Sequence, residues 1–452
     1  MAAADSARIS VVILGAAGRD FHNFNLVYRD DPAYQVVAFT AAQIDGIAGR
    51  RYPRELAGAL YPRGIPIIKE RGLEAFRRRH RFDKVVFAYS DVTHVQVMHA
   101  ASRVLALGAD FVLLGPLRTM LKASIPVIAV SAVRTGCGKS QTARWLSNLL
   151  RSLGLRVAVL RHPMPYGDLA RQAVQRFATR ADIDAADCTI EEREEYEPHL
   201  AAGNIVYAGV DYARVLALAQ SAADVILWDG GNNDFPFIKP DLHIVLVDPL
   251  RPGHDSTYHP GEAVLRMADV VVVAKSNVAT AAEVRRVSKN VRRINPRAVL
   301  VRAGSPVRLD DESAVKGRRV LVIEDGPTTT HGGMPYGAGH VAATQAQAAQ
   351  IVNPRPYAMP QIAEIYAAYP HLGSVLPAMG YSKTQLAALA QTINATPADV
   401  IVSATPIDLA ALISVNKPVV RARYEFADID EPGLGGIVKN YLQRSGLAEQ
   451  ES

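Results

Sequence analysis

A lysine and a hydroxyl side by side behind two closely spaced glycines suit a polyphosphate, and Lys139 and Ser140 follow Gly136 and Gly138 in the stretch 126–142, PVIAVSAVRTGCGKSQT. The order carries the chemistry. A short apolar run predicts a strand that delivers the loop, and small residues let backbone N–H groups turn inward around phosphate oxygens. A helix opening at the lysine then adds its N-terminal dipole. Thr135, Gly136, Cys137, Gly138, Lys139, Ser140 and Gln141 are the candidate nucleotide-binding residues. Lys139 supplies a point charge for the outer phosphates of ATP, with GTP also open, and Ser140 a hydroxyl for Mg²⁺. The usual G-x-x-x-x-G-K-[ST] spacing wants glycine where Val133 stands, so the match is truncated. An ordinary glycine turn is the bland alternative, and the apolar run before with a helical stretch after argues against it.

A second candidate is Asp229, which ends the apolar run VILWD as a Walker B carboxylate does, placed to hold a metal or its water. Asn232, Asn233 and Asp234 extend that polar cluster. Arg134 completes the catalytic candidates with Lys139 and Asp229. The run 134–140, RTGCGKS, resembles the deviant Walker A loop of dimeric nucleotide switches, with Arg134 at the signature lysine. In that family the lysine reaches phosphates across a dimer. Ala274-Lys275-Ser276-Asn277 resembles the base-reading N-K-x-D element, with its first Asn and its Asp changed, so it gives no support for guanine and reads equally as a helix cap.

These residues need elements to hold them, and the chain has room for several. It has 452 residues, 49% hydrophobic and 21% charged, enough for two or three domains each with its own core. The first residues lack a basic run followed by an apolar one, and no segment approaches a membrane-spanning length, so a cytoplasmic enzyme without a membrane partner is expected. Two cysteines make neither a disulfide framework nor a metal site. The net charge of +6 is spread out, and its densest run, RRRHR at 77–81, reads as a solvated helix end rather than a nucleic-acid patch.

Apolar runs alternate with helix-like segments throughout, which predicts α/β architecture. Residues 1–125 read as a Rossmann-like doubly wound domain, 126–305 as a phosphate-loop nucleotide domain, and 306–452 as an α/β C-terminal part. The first turn, LGAAGRDFHNFN, places Arg19 and His22 at the carboxyl end of the first strand, where open α/β sheets hold ligands. A capped helix start and a second anion site are both open there. The acidic stretch 189–199, TIEEREEYEPH, reads as a solvated helix face, with a helix folded over the site as the other reading.

The last third carries a loop of unusual chemistry at 324–340, EDGPTTTHGGMPYGAGH, between an apolar run and an alanine-rich helix. Its hydroxyls, histidines and glycines can offer many donors to a multiply charged oxyanion. Thr328, Thr329, Thr330 and His331 are therefore candidates for a substrate phosphate. Arg421 and Arg423 alternate on a predicted strand and could clamp the same group.

ILGAAGRDFHNFN, RTGCGKSQT, EDGPTTTHGGMPYGAG and SATPIDL followed by NKPVVRARYE together resemble the cyclic 2,3-diphosphoglycerate synthetase family over essentially the whole chain. The resemblance implies an ATP-dependent, Mg²⁺-requiring ligase, a cytoplasmic homodimer, that closes a phosphoanhydride on 2,3-diphosphoglycerate or a related phosphorylated small acid. Lys139, Mg²⁺ on Ser140 and Asp229 would hold ATP, with Thr328 to His331, Arg421, Arg423, Arg19 and His22 around the substrate. A regulatory or chaperone-type GTPase is the alternative.

Overall fold

The computed structural model describes residues 8–16, 18–42, 47–162, 167–231, 234–330, 332–379, 383–406 and 409–447. Three mainly parallel sheets follow one another. In the first, Ile9–Leu14 lies between Tyr34–Ala41 and Lys84–Phe87, with Ile65–Lys69 and Asp110–Leu113 beyond them and Arg51–Tyr52 antiparallel at one edge. The second is ordered Gln175–Phe177, Ile205–Ala208, Val157–Arg161, Val225–Asp229, Val127–Ala132, Leu242–Val247, Val270–Val273, Val299–Gly304, Ala427–Asp428, with only its two edge strands antiparallel. In the third, Arg319–Asp325 sits between Val400–Ser403 on one side and Gln350–Ile351 and Leu376–Ala378 on the other.

Sequence alternation sets the two faces of the second sheet. Ile128, Val130 and Ala132 enter the core on one face, while Val127 and Ala129 enter the core on the other. A strand covered on both faces has no polar side, which is why Val270–Val273 can be four buried valines.

The chain does not stay in the third unit to its end, as the division at 306–452 expects. Ala427–Asp428 pairs with Val299–Gly304 at the edge of the second sheet. Helix Leu434–Arg444 then buries Leu434, Val438 and Leu442, spaced by four, in the same core as the phosphate-loop strand. Asp428 fixes its start by accepting the N–H of Leu434 and Gly435 at 2.8 and 2.9 Å.

Arg19 and His22 correct the expectation of an anion crevice. Both are buried against the second unit, and their polar groups are spent there and on Thr119 just before it. Arg19 pairs with Asp234 at 2.9 Å and lies 4.4 Å over the Phe237 ring. His22 stacks on Phe237 with centroids 4.0 Å apart and reaches the Thr119 carbonyl at 2.6 Å. They weld two units rather than face solvent. Burial, aided by the Arg19 charge, pulls the His22 imidazole down to about 3.

That gives a signed expectation. Between about pH 3 and the unfolded value near 6.5, the unfolded chain binds a proton at His22 that the folded chain refuses, so stability falls as pH falls through that window. The slope is about 1.4 kcal/mol per pH unit for one such group. Urea midpoints should therefore drop between pH 7 and pH 5, and His22→Phe, which keeps the ring stack, should flatten the drop.

Candidate active site at the phosphate loop

The strand Val127–Ala132 delivers the loop and helix Lys139–Ser152 leaves it. Gly136 and Gly138 take φ of 80° and 101°, a region that side chains rarely adopt, so the glycines make the inward turn. The loop's carbonyls are tied from behind. Lys275 Nζ donates to the Gly136 carbonyl at 2.7 Å and pairs with Asp248 at 2.7 Å, while Arg251 donates to the Thr135 carbonyl at 2.7 Å. Lys275, flagged in sequence as a base-reading position, is thus a strut under the loop. Cys137 is fully buried, and burial pushes its thiol up, so it serves as filler. Gln141 donates to Ser305 at 2.7 Å.

Arg134 turns away from the expected cross-dimer reach. It pairs with Asp91 at 2.7 Å, meets His254 Nδ1 at 2.9 Å and lies 3.6 Å from the Tyr258 ring centroid. Its charge is engaged within one chain, by a loop of the first unit and a turn of the second. The short pairing of Val92–Thr93 with Tyr258–His259 braces that contact.

Lys139 sits over a buried charge network. Asp229 is fully buried, with Oδ2 2.5 Å from Arg161 Nη1 and 2.9 Å from His199 Nε2. Burial alone would raise its carboxyl, yet Arg161, His199 and Lys139 together hold it well below the usual range. Burial pulls Lys139 down to about 8, with Asp229 opposing. Asn204 Nδ2 faces His199 Nδ1 at 3.3 Å, and burial lowers the imidazole, so the neutral ring donates from Nε2 to Asp229. Arg161 also pairs with Glu195 and lies 3.5 Å from Ser140 Oγ.

The donors fit Mg²⁺. Asp229 Oδ1 is sealed and meets no donor, and Ser140 shares Arg161 with the same carboxylate. Among the described residues no cluster of three or more His, Cys, Asp or Glu is arranged to hold a metal, so the ion would share its shell with nucleotide phosphates.

Three parts of this site carried a sequence signal without a role or a partner. The helix Ile190–Ala201, expected as a solvated face, has no exposed residue between 191 and 200 and brings Glu194, Glu195 and His199 to the loop. Its signal was the capping box of Thr189 and Glu192, with Thr189 N donating to Glu192 at 2.7 Å, but that marks a helix and not its neighbours. Arg161 ends an apolar strand, as Asp229 does. Asp325 ends a strand of the third sheet and stands behind Thr328 opposite the loop, while its neighbour Glu324 turns to the start of helix Ala338–Gln345.

That opposite wall is acidic. Thr328 packs on the phosphate loop: a methyl placed on Gly136 would stand 3.2 Å from its Cγ2. Thr328 Oγ1 donates to Asp325, and Arg251 ties the two walls by donating to the Gly332 carbonyl at 2.8 Å. Burial pushes Glu324 up to about 7 although it accepts the N–H of Gly339 and His340, and burial also raises Asp325 and, most of all, Glu194.

The substrate-phosphate candidates fare unequally. Thr329 and Thr330 turn inward, donating to the carbonyls of Asp325 and Gly326 at 2.9 and 2.8 Å, because a short helix there lacks internal partners. Thr328 alone of the three faces the loop. His331, like Asn232 and Asn233, lies outside the described residues. Arg423 is exposed and held by Asp310 at 2.6 and 2.9 Å. Arg421 shares its strand face and donates to the Pro406 carbonyl at 3.3 Å.

Among the described residues no helix is long and apolar enough to cross a membrane. No protein-family model matches the chain. Among solved structures, LpxK from Aquifex aeolicus in complex with ATP overlaps 71% of this chain and 90% of its own at 16% identity and a TM-score of 0.41. A ParA family ATPase from Chlorobium tepidum overlaps 42% and 86% at 14% identity and a TM-score of 0.26. The arginine synthetase ArcE of Thermococcus kodakarensis is 56% identical over 440 residues, which span 97% of this chain and 98% of that protein. At that identity and coverage, the chain belongs to the family of arginine synthetase ArcE.

Proposed function

We propose that this protein is an ATP-dependent synthetase that forms the guanidino group of arginine. The observation that carries the reading is the group of carboxyls beside the phosphate loop, Asp325 behind Thr328 with Glu194 next to it and Glu324 under the following helix, which suits a nitrogen-rich, cationic ligand. The name of the near full-length relative supports it.

The chemistry balances in two steps. The γ-phosphoryl group passes from ATP to the oxygen of a ureido carbon, leaving ADP and making that oxygen part of a phosphate leaving group. An amine nitrogen then attacks the carbon, the C–O bond breaks, phosphate departs, and the nitrogen's proton goes to a nearby base. Lys139 and the loop N–H groups hold the phosphates in line, and Asp229 orients them through Arg161 and His199. Mg²⁺, when bound, neutralises charge on the phosphate oxygens. Glu324, raised to about 7 by burial, has the affinity a proton acceptor needs near neutral pH.

Cyclisation of 2,3-diphosphoglycerate, implied by the sequence resemblance, is the second reading. Thr328 against Gly136 favours it, since a phosphate acceptor belongs there. Two phosphate dianions beside the carboxyls of Asp325 and Glu194 weigh against it. Both readings share phosphoryl transfer followed by displacement, and neither needs Arg134 across a dimer.

Purified protein with Mg²⁺ and ATP should be offered L-citrulline plus ammonium in one tube and 2,3-diphosphoglycerate in another, with products followed by phosphorus NMR and amino-acid analysis. Arginine rising one-to-one with ADP and phosphate is expected. A cyclic anhydride signal would select the second reading. Nucleotide splitting indifferent to every acceptor would overturn both and point to a GTPase-like cycle.

A further inference from the structure

Helix Lys139–Ser152 carries Arg144 five residues past the loop lysine. Its half-buried guanidinium makes no hydrogen bond or ion pair among the described residues, and the groups around it are Tyr424, Asp229, Arg161 and Glu425. Nearby stands a carboxyl in the same condition. Glu194 Oε1 is sealed from solvent with no donor, while the rest of that carboxyl meets Thr405. The two charges do not pair with each other, yet both act on the hydroxyl of Tyr424, together with Asp325 and Glu324.

Leaving a guanidinium and a sealed carboxyl oxygen unsatisfied beside the same tyrosine is costly. A ligand carrying both charges on adjacent atoms satisfies both at once. A lone anion or a lone cation satisfies only one. The phosphate loop borders this cluster, because Thr328 joins Gly136 to Asp325 and Asp325 lies by Glu194.

We propose that Arg144 and Glu194, with Tyr424 and Asp325 beside them, bind the α-carboxylate and α-ammonium of an amino acid whose side chain extends to the phosphate loop. Arg144 is the carboxylate reader, since a guanidinium matches a carboxylate with two parallel donors. Glu194 reads the ammonium. This rests on the arginine-forming reading and adds which residues choose the substrate's head group.

Calorimetric titration of the full chain with L-arginine, agmatine and Nα-acetyl-L-arginine tests it. Agmatine lacks the carboxylate and the acetylated ligand lacks the ammonium. The wild type should bind L-arginine roughly 10- to 100-fold more tightly than either, the loss expected of one charge-assisted pair. Arg144→Ala should weaken L-arginine by a similar factor and leave agmatine unchanged, which also shows the variant is folded. Glu194→Gln should weaken L-arginine and spare the acetylated ligand. Arg144→Gln serves where alanine does not fold. Wild-type binding of L-arginine with unchanged ligand ratios in the variants would overturn the head-group assignment alone. No binding of any of the three by the wild type would bring down the arginine-forming reading with it.

Discussion

Lys139→Ala lowers nucleotide-dependent turnover roughly 10³-fold without unfolding the protein. A preorganised cation that meets charge as it shifts to the leaving phosphate is worth several kcal/mol in a site shielded from water. Lys139 gains little for the fold in return, since burial pulls its ammonium down to about 8 in the free protein. The same shift sets a pH dependence. The charged form binds phosphate, and it is present below about pH 8 and lost above. Nucleotide affinity should fall as pH rises through 8, and Lys139→Ala should abolish that fall. Steady-state kinetics with nucleotide titrations between pH 6.5 and 9.5 check both statements. A variant with wild-type turnover would remove the loop from the mechanism.

Asp229→Asn has the second large effect, and it touches stability as well as activity. The carboxylate is the common partner of Arg161 and His199, both almost wholly buried. Neutralising it leaves the Arg161 guanidinium with Glu195 as its one carboxylate partner among the described residues, and breaking a buried pair in this way costs about 3–5 kcal/mol. Because the Asp229 carboxyl is depressed in the folded state, its stabilisation is fully present above the unfolded value near 4 and is lost below it. Urea unfolding at pH 7 therefore reads the whole cost. Turnover should fall by a further two to three orders of magnitude relative to binding, about the size of one lost electrostatic contact at the reacting phosphate. The Mg²⁺ requirement should shift to higher concentrations. Unchanged stability would mean that Arg161 and His199 find equal partners elsewhere.

The phosphate loop was legible because its chemistry is local. Strand, glycines, lysine and helix lie within 17 consecutive residues, and backbone rules decide their geometry. The opposite wall was only half legible. The stretch 324–340 stood out by composition, but which hydroxyls face outward depends on a short helix that turns Thr329 and Thr330 inward. Arg19 and His22 misled because polar residues at a strand's carboxyl end look alike whether they meet a ligand or a neighbouring unit. Asp234, Thr119 and Phe237, which consume them, lie about 100 to 200 residues away. The acidic helix stayed open between solvent and site for the same reason: charge predicts solvent unless a partner such as Arg161 is known to wait inside.

The last helix has a consequence for how the molecule is made. The Trp145 and Phe426 rings lie 4.4 Å apart, although one stands at the start of the nucleotide unit and the other near the end of the chain. The core behind the phosphate loop therefore closes only after Leu434, Val438 and Leu442 have left the ribosome. A growing chain holds this unit open while the entire third sheet is synthesised and folded, a long wait for an apolar face. Contacts of such sequence separation are slow to form and leave the nascent protein dependent on protection from aggregation.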